Sequence, residues 1–267
     1  MSWSAIDFMI LAPAFCAGVL VLATHVPLGA RVLRKGIVFI DLAIAQIAGL
    51  GVIAAGLMDI EPSGWQVQVA AALAALAGAL LLAWTEKVWP EVQEAQIGVL
   101  FVLAATAGIL LLAKNPHGGE HLRDLLAGQI LWVSYAQLAV PLAVTMITLA
   151  VLAALRGQLS QLGFYVLFAV AVTVSVQLVG VYLVFATLIV PALGVRNHPL
   201  RRRLPLAYAI GVLGYALGLL LSSALDLPSG ALIVWCLAVS AMATHAVAPR
   251  RVGHEPVGNL ATPTVSR

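Results

Sequence analysis

The chain has 267 residues, 62% of them hydrophobic and 9% charged, where a soluble domain carries roughly 25% charged residues. A soluble globular protein is excluded. The net charge of +3 does not point to nucleic acid either, because the basic residues sit in small clusters between long apolar runs, as loop charges at a membrane do.

The charged residues leave uncharged runs at 8–30, 42–58, 62–85, 95–113, 125–155, 157–195, 204–225 and 227–249. A helix needs about 20 residues to cross about 30 Å of hydrocarbon, so each run is a crossing or close to one. A β-barrel would need segments of about ten residues alternating in polarity, and these runs are apolar throughout. Backbone groups in lipid must be hydrogen-bonded within the segment, which leaves helices. The expected fold is all-α, a polytopic helical membrane protein with eight to nine transmembrane helices over 1–249. The polar tail 250–267 reads as a disordered cytoplasmic end.

In chain order, helix one is expected at about 6–25, a retained helix and not a signal peptide, closed by Pro27-Leu28-Gly29. Helix two follows at 37–58, then helix three at 66–84, separated from it by Glu61-Pro62-Ser63-Gly64. Helix four is expected at 97–113 and helix five at about 131–155. The basic clusters Arg31/Arg34/Lys35, Arg196/Arg201/Arg202/Arg203 and Arg250/Arg251 should all face the cytoplasm. They do so if 157–195 crosses twice, turning near Gln177–Gly180. Nine spans then result, with eight if that run is one long tilted helix. Helices at 206–222 and 228–247 complete the count, joined by the turn Asp226-Leu227-Pro228-Ser229-Gly230. Cys16 and Cys236 lie inside apolar runs and read as small core side chains.

Polar side chains inside a span face a cavity or another helix. Asp41, followed by Gln46 in Ile40-Asp41-Leu42-Ala43-Ile44-Ala45-Gln46, is either a hard oxygen ligand for a cation or a residue paired near the cytoplasmic interface. Ser175, Gln177 and Thr187 suit hydrogen bonds between helices. His25 and His245 read as interface residues near cytoplasmic helix ends. In the external loop 115–124, His117, Glu120 and His121 have the His-x-x-Glu-His spacing of one class of zinc peptidases. Pro116 and Gly118-Gly119 argue against the helix that chemistry needs. What is left is a weak imidazole/carboxylate metal contact at an external mouth or a solvated polar loop. No Gly-rich phosphate loop occurs, so any nucleotide energy must come from another chain.

Several stretches in order resemble the permease subunits of zinc/manganese ABC importers, over about 8–247. They are Pro27-Leu28-Gly29 with its basic turn, Glu94-Ala95-Gln96-Ile97-Gly98, and Leu125-Leu126-Ala127-Gly128-Gln129-Ile130-Leu131-Trp132-Val133-Ser134. Leu178-Val179-Gly180-Val181-Tyr182 through Pro191-Ala192 and Asp226-Leu227-Pro228-Ser229-Gly230 complete the set. The resemblance implies a multi-pass permease of the bacterial inner membrane that imports a divalent metal, zinc first and manganese second, as cargo and with no permanently bound cofactor. It further implies cytoplasmic ABC ATPase subunits, an extracytoplasmic metal-binding protein and a second permease copy as partners, within the lipid bilayer. Asp41, Gln46 and Thr187 are then the expected substrate path. His117, Glu120 and His121 are weaker metal contacts outside, and Glu94, Arg156, Arg201 and Arg202 are expected contacts to the ATPase.

Two departures qualify this. The family has an Asp and, four residues later, a His on helix two; here the His position holds Gln46 or, aligned on Asp41, Ala45. The family's cytoplasmic coupling segment before the next span is reduced to 156–163. A metal chelate or other small solute as cargo, or a permease-like scaffold without ATP-coupled transport, are the alternatives.

Overall fold

The computed structural model describes residues 8–58, 65–113, 119, 126–155 and 159–248. Among these the chain forms nine longer helices and no strand. They are α1 (Phe8–Lys35), α2 (Ile40–Leu57), α3 (Trp65–Val88), α4 (Gln93–Leu112), α5 (Ala139–Ala154), α6 (Gln161–Val179), α7 (Val181–Gly194), α8 (Leu200–Leu225) and α9 (Ser229–Ala246). Eight helical stretches are long and apolar enough to cross a membrane, and α7 is a shorter apolar helix.

Fourteen residues of α7 rise about 21 Å, short of the hydrocarbon thickness. Its neighbours show that it nevertheless covers the depth of the bundle. At one end Gly180 meets Ala127 and Gly128, and Ala127 in turn meets Gly230 at the start of α9. At the other end Gly194 lies against Ala241 of α9, and the turn beyond it bonds His198 Nε2 to the Thr244 carbonyl at 3.0 Å. α7 and its following turn therefore run beside α9 for its whole length. The run 157–195 thus holds two helices, α6 and α7, with the turn between them at Gly180, inside the expected 177–180.

The helix ends that carry Lys35 and Glu86 are tied together by polar contacts. Lys35 at the end of α1 bonds Glu86 near the end of α3 at 3.2 Å. Its ammonium also lies 5.2 and 5.6 Å from the ring centres of Phe164 and Tyr165 near the start of α6, within cation–π range. Gln93 at the start of α4 donates to the Tyr165 hydroxyl at 3.0 Å and to the Leu82 carbonyl at 3.2 Å. The ends of α1 and α3 and the starts of α4 and α6 thus share one side, as the basic clusters required. The exposed Trp84 and Trp89 stack edge-to-face on this side at 5.6 Å, suited to the interfacial belt.

The bundle centre is built on small residues. α8 sets Gly211 against Leu22 of α1, and Gly214 and Gly218 against Leu237 and Ile233 of α9. Such residues let helices approach where no hydrophobic force separates protein from lipid. Outward faces carry large apolar side chains, including Leu103, Leu110, Val140 and Ile147, as a lipid-facing or partner-facing surface requires.

Three expectations change. Pro27 does not close helix one; α1 continues through Pro13 and Pro27 to Lys35. A proline lacks the N–H that would bond four residues back, here to Ala23, and the Tyr208 hydroxyl of α8 donates to that freed carbonyl at 3.1 Å. Tyr208→Phe should therefore leave the Ala23 carbonyl unpaired, costing about 1–2 kcal/mol. The readout is a lower thermal midpoint of the purified protein, and an unchanged midpoint would refute it. Helix five is continuous only from Ala139. Before it, Ile130–Trp132 and Tyr135–Leu138 are 3-10 turns, because Ser134 takes an extended conformation and forms a capping box with Gln137. Cys16 points outward and not into the core. The turn 61–64 and the tail 249–267 lie outside the described residues.

Candidate substrate path and cytoplasmic face

The first half of α2 is enclosed by neighbouring helices, while Ala54, Gly56 and Leu57 near its end are exposed. One face places Ile44 and Ile47 against Gly78 of α3, and another places Leu50 and Ile53 against Gly108 of α4. α2 also packs on α6 and α7, which take the remaining buried face, that of Asp41, Ala45 and Ala48. Small residues on this face bring the neighbouring backbones close.

Asp41 lies in the first turn of α2 and is 1% exposed. Neither carboxylate oxygen has a hydrogen-bond partner among the described residues. The expected pairing with Arg34 or Lys35 is not made: the Arg34 Nε bonds the Ala30 carbonyl and Lys35 pairs with Glu86. The positive end of the α2 macrodipole favours a negative charge here, but a buried carboxylate without a partner remains costly. Gln46 is also buried, at 9% exposure. Five residues of helix turn it about 140° from Asp41, onto the side facing α4, so the two side chains do not share a face.

Thr187 is fully buried. Its hydroxyl donates to the Leu183 carbonyl at 2.6 Å and pairs with the Tyr215 hydroxyl at 2.9 Å, tying α7 to α8. His25, expected at an interface, is 0% exposed and ten residues inside the end of α1. Its Nδ1 lies 3.0 Å from both the Val21 carbonyl and the Thr24 hydroxyl, while Nε2 is buried without a partner among the described residues. The long extension of α1 past Pro27 is what draws this imidazole into the bundle. His245 is half-buried near the end of α9, with Nε2 at 3.4 Å from the Asn197 amide.

His117, Glu120, His121 and Arg156 lie outside the described residues. Among the described residues no three His, Cys, Asp or Glu are grouped to hold a metal ion. Of the residues expected to meet an ATPase, Arg201 and Arg202 are exposed at the start of α8. Glu94 is half-buried and accepts from the Phe39 N–H at 3.3 Å, so a carboxylate from α4 caps the start of α2 and holds the turn leading to Asp41. Ile97 of the same motif is fully buried.

A family model described as the ABC 3 transport family matches residues 7–164 and 150–248. The chain belongs to this family. The manganese transport system membrane protein MntC of Halalkalibacterium halodurans is 27% identical over 252 residues, covering 86% of this chain and 84% of that protein. The solved structure of PsaBC from Streptococcus pneumoniae in complex with Fab superposes with a TM-score of 0.74 at 19% identity, covering 91% of this chain and 93% of that one. At that identity the likeness is one of fold. The family member described here is thus an ABC-type, multi-pass helical membrane protein, as its sequence motifs indicated. Two of those motifs meet in space, since the Gly128 and Gly180 backbones are in contact.

Proposed function

We propose that this chain is the permease subunit of a bacterial inner-membrane ABC importer for a divalent metal ion. The observation that carries this reading is the unpartnered, buried carboxylate of Asp41 in the enclosed first half of α2, in a family whose relative is a manganese transport protein. A lone carboxylate inside a bundle gains most from a cation passing beside it. Carboxylate and amide oxygens are hard donors that suit manganese better than zinc, and no imidazole follows Asp41 on α2. Manganese therefore comes first and zinc second. Gln46 is a second oxygen donor one helix face away, and Thr187 keeps α7 fixed beside the path. His117, Glu120 and His121 offer a weaker contact at the external mouth.

Hydrolysis of ATP falls to separate cytoplasmic subunits. A second permease copy and an extracytoplasmic metal-binding protein complete the assembly. The α5–α6 connection is confined to residues 155–160, with Ser160 already capping α6 through the Gly163 N–H at 3.1 Å. That leaves the ATPase little to hold in this connection beyond Arg156, and the exposed Arg201 and Arg202 are the main sites offered for docking. Proteoliposomes holding this chain with its ATPase should accumulate radioactive manganese when ATP is supplied, and zinc more slowly. Accumulation of neither metal would overturn the reading. Failure to co-purify with an ATPase would favour a scaffold that kept the fold without coupled transport, which the short connection also suits.

A further inference from the structure

At the cytoplasmic edge, the end of α1, the turn after α7 and the start of α8 enclose a groove of about 230 Å³. Arg34, Arg196 and Arg203 line it, together with Leu33, Leu200 and Leu204, and no carboxylate does. The three guanidiniums come from three separate segments. Among the described residues the one ion pair is Lys35 with Glu86, so none of the three is neutralised. Two are held in place through Nε, Arg34 to the Ala30 carbonyl at 3.1 Å and Arg203 to the His198 carbonyl at 2.8 Å.

The start of α8 adds to this positive field. Its cap is Pro199, which makes no side-chain cap bond, and its first turn holds no acidic residue. A helix start carries partial positive charge, and adding arginines there is unfavourable unless an anion is present. The tendency of basic residues to stay on the cytoplasmic side explains which side they occupy. It does not explain why three converge on one apolar groove while Arg201 and Arg202 turn outward.

We infer that this groove binds an acidic phospholipid of the inner leaflet, its phosphate held by Arg34, Arg196 and Arg203 and an acyl chain lying along Leu33, Leu200 and Leu204. Guanidinium forks match phosphate oxygens two at a time, and basic pockets between helices on the cytoplasmic side are suited to anionic headgroups. The apolar wall has no use for a free phosphate, and it favours a lipid over an acidic protein segment.

The test is native mass spectrometry of the full chain, delipidated in detergent and given phosphatidylglycerol or phosphatidylcholine with the same acyl chains. Phosphatidylglycerol should be retained preferentially, and R34Q/R203Q should weaken it by about fivefold per arginine removed. R34K/R203K, which keeps the charge but not the fork, should keep only part of the preference, and R201Q/R202Q all of it. Ala30→Trp, which fills the groove and keeps every arginine, should lose the bound lipid; it decides the matter if the double Gln variant is poorly folded. Equal retention of the two lipids, equal loss in R201Q/R202Q, or full displacement by inorganic phosphate would each overturn the inference. So would a groove variant that loses the ATPase but keeps the lipid.

Discussion

Asp41→Asn is expected to abolish metal uptake while leaving the permease at least as stable as the native protein. Asparagine keeps the shape of the side chain and removes its charge. Asp41 is 1% exposed and both its oxygens lack partners among the described residues, so folding must bear its desolvation without a compensating bond. Removing that charge should hold the thermal midpoint or raise it. Transport should fall by roughly 100-fold or more, the upper range seen even when groups one step removed from a metal are lost. A residue whose loss stabilises a protein and stops its work is the mark of a functional site. The competing role is support of α2 through its macrodipole. In that case the variant would lose stability by a fraction of a kcal/mol and keep its uptake. Reconstituted uptake and thermal unfolding in the same preparation separate the two, and a variant that still transports would remove Asp41 from the path.

What the sequence revealed depended on how local each signal was. The helices followed from gaps between charges, because lipid leaves an apolar run no other structure. Gly180 was readable as the turn inside 157–195. Pro27 misled because a proline ends a helix unless something replaces its missing bond, and the replacement is a hydroxyl 185 residues away at Tyr208. His25 followed the same error, since a helix ending near residue 25 would have put it at an interface. Asp41 stood out as a charge within an apolar stretch. The separation of Gln46 from its face follows from helix geometry alone, whereas the lack of any partner depended on the packing of α3, α4, α6 and α7 around α2. Glu94 was noticed through its motif, but its bond to the Phe39 N–H joins two helices and has no local sequence signal. The arginine-lined groove needs Arg34, Arg196 and Arg203 together, and no single segment contains all three.

Gly180→Ala is expected to have the largest effect on folding. Gly180 ends α6 and begins α7 with φ 83° and ψ 163°, a region open essentially to glycine alone and costing a side chain about 1–3 kcal/mol. A Cβ there would also overlap the backbone of Gly128, and one on Gly128, itself at φ 69°, would overlap the backbone of Val179 and Gly180. Backbone cannot rotate away as a side-chain tip can, so the joint itself must open, adding about 1–3 kcal/mol. The joint holds the α6–α7 turn against 127–128, and Ala127 against Gly230 at the head of α9; opening it loosens three segments at once. A total loss of about 2–6 kcal/mol should appear as a sharp fall in the monodisperse protein recovered after extraction. Gly98 is the control, a second motif glycine within α4 that has open space where its Cβ would stand. Gly98→Ala should be neutral or stabilising by up to about 1 kcal/mol. Because either Cβ forces the same backbone contact apart, Gly128→Ala combined with Gly180→Ala should cost less than the sum of the single losses. Full additivity would mean that the two glycines do not share one joint.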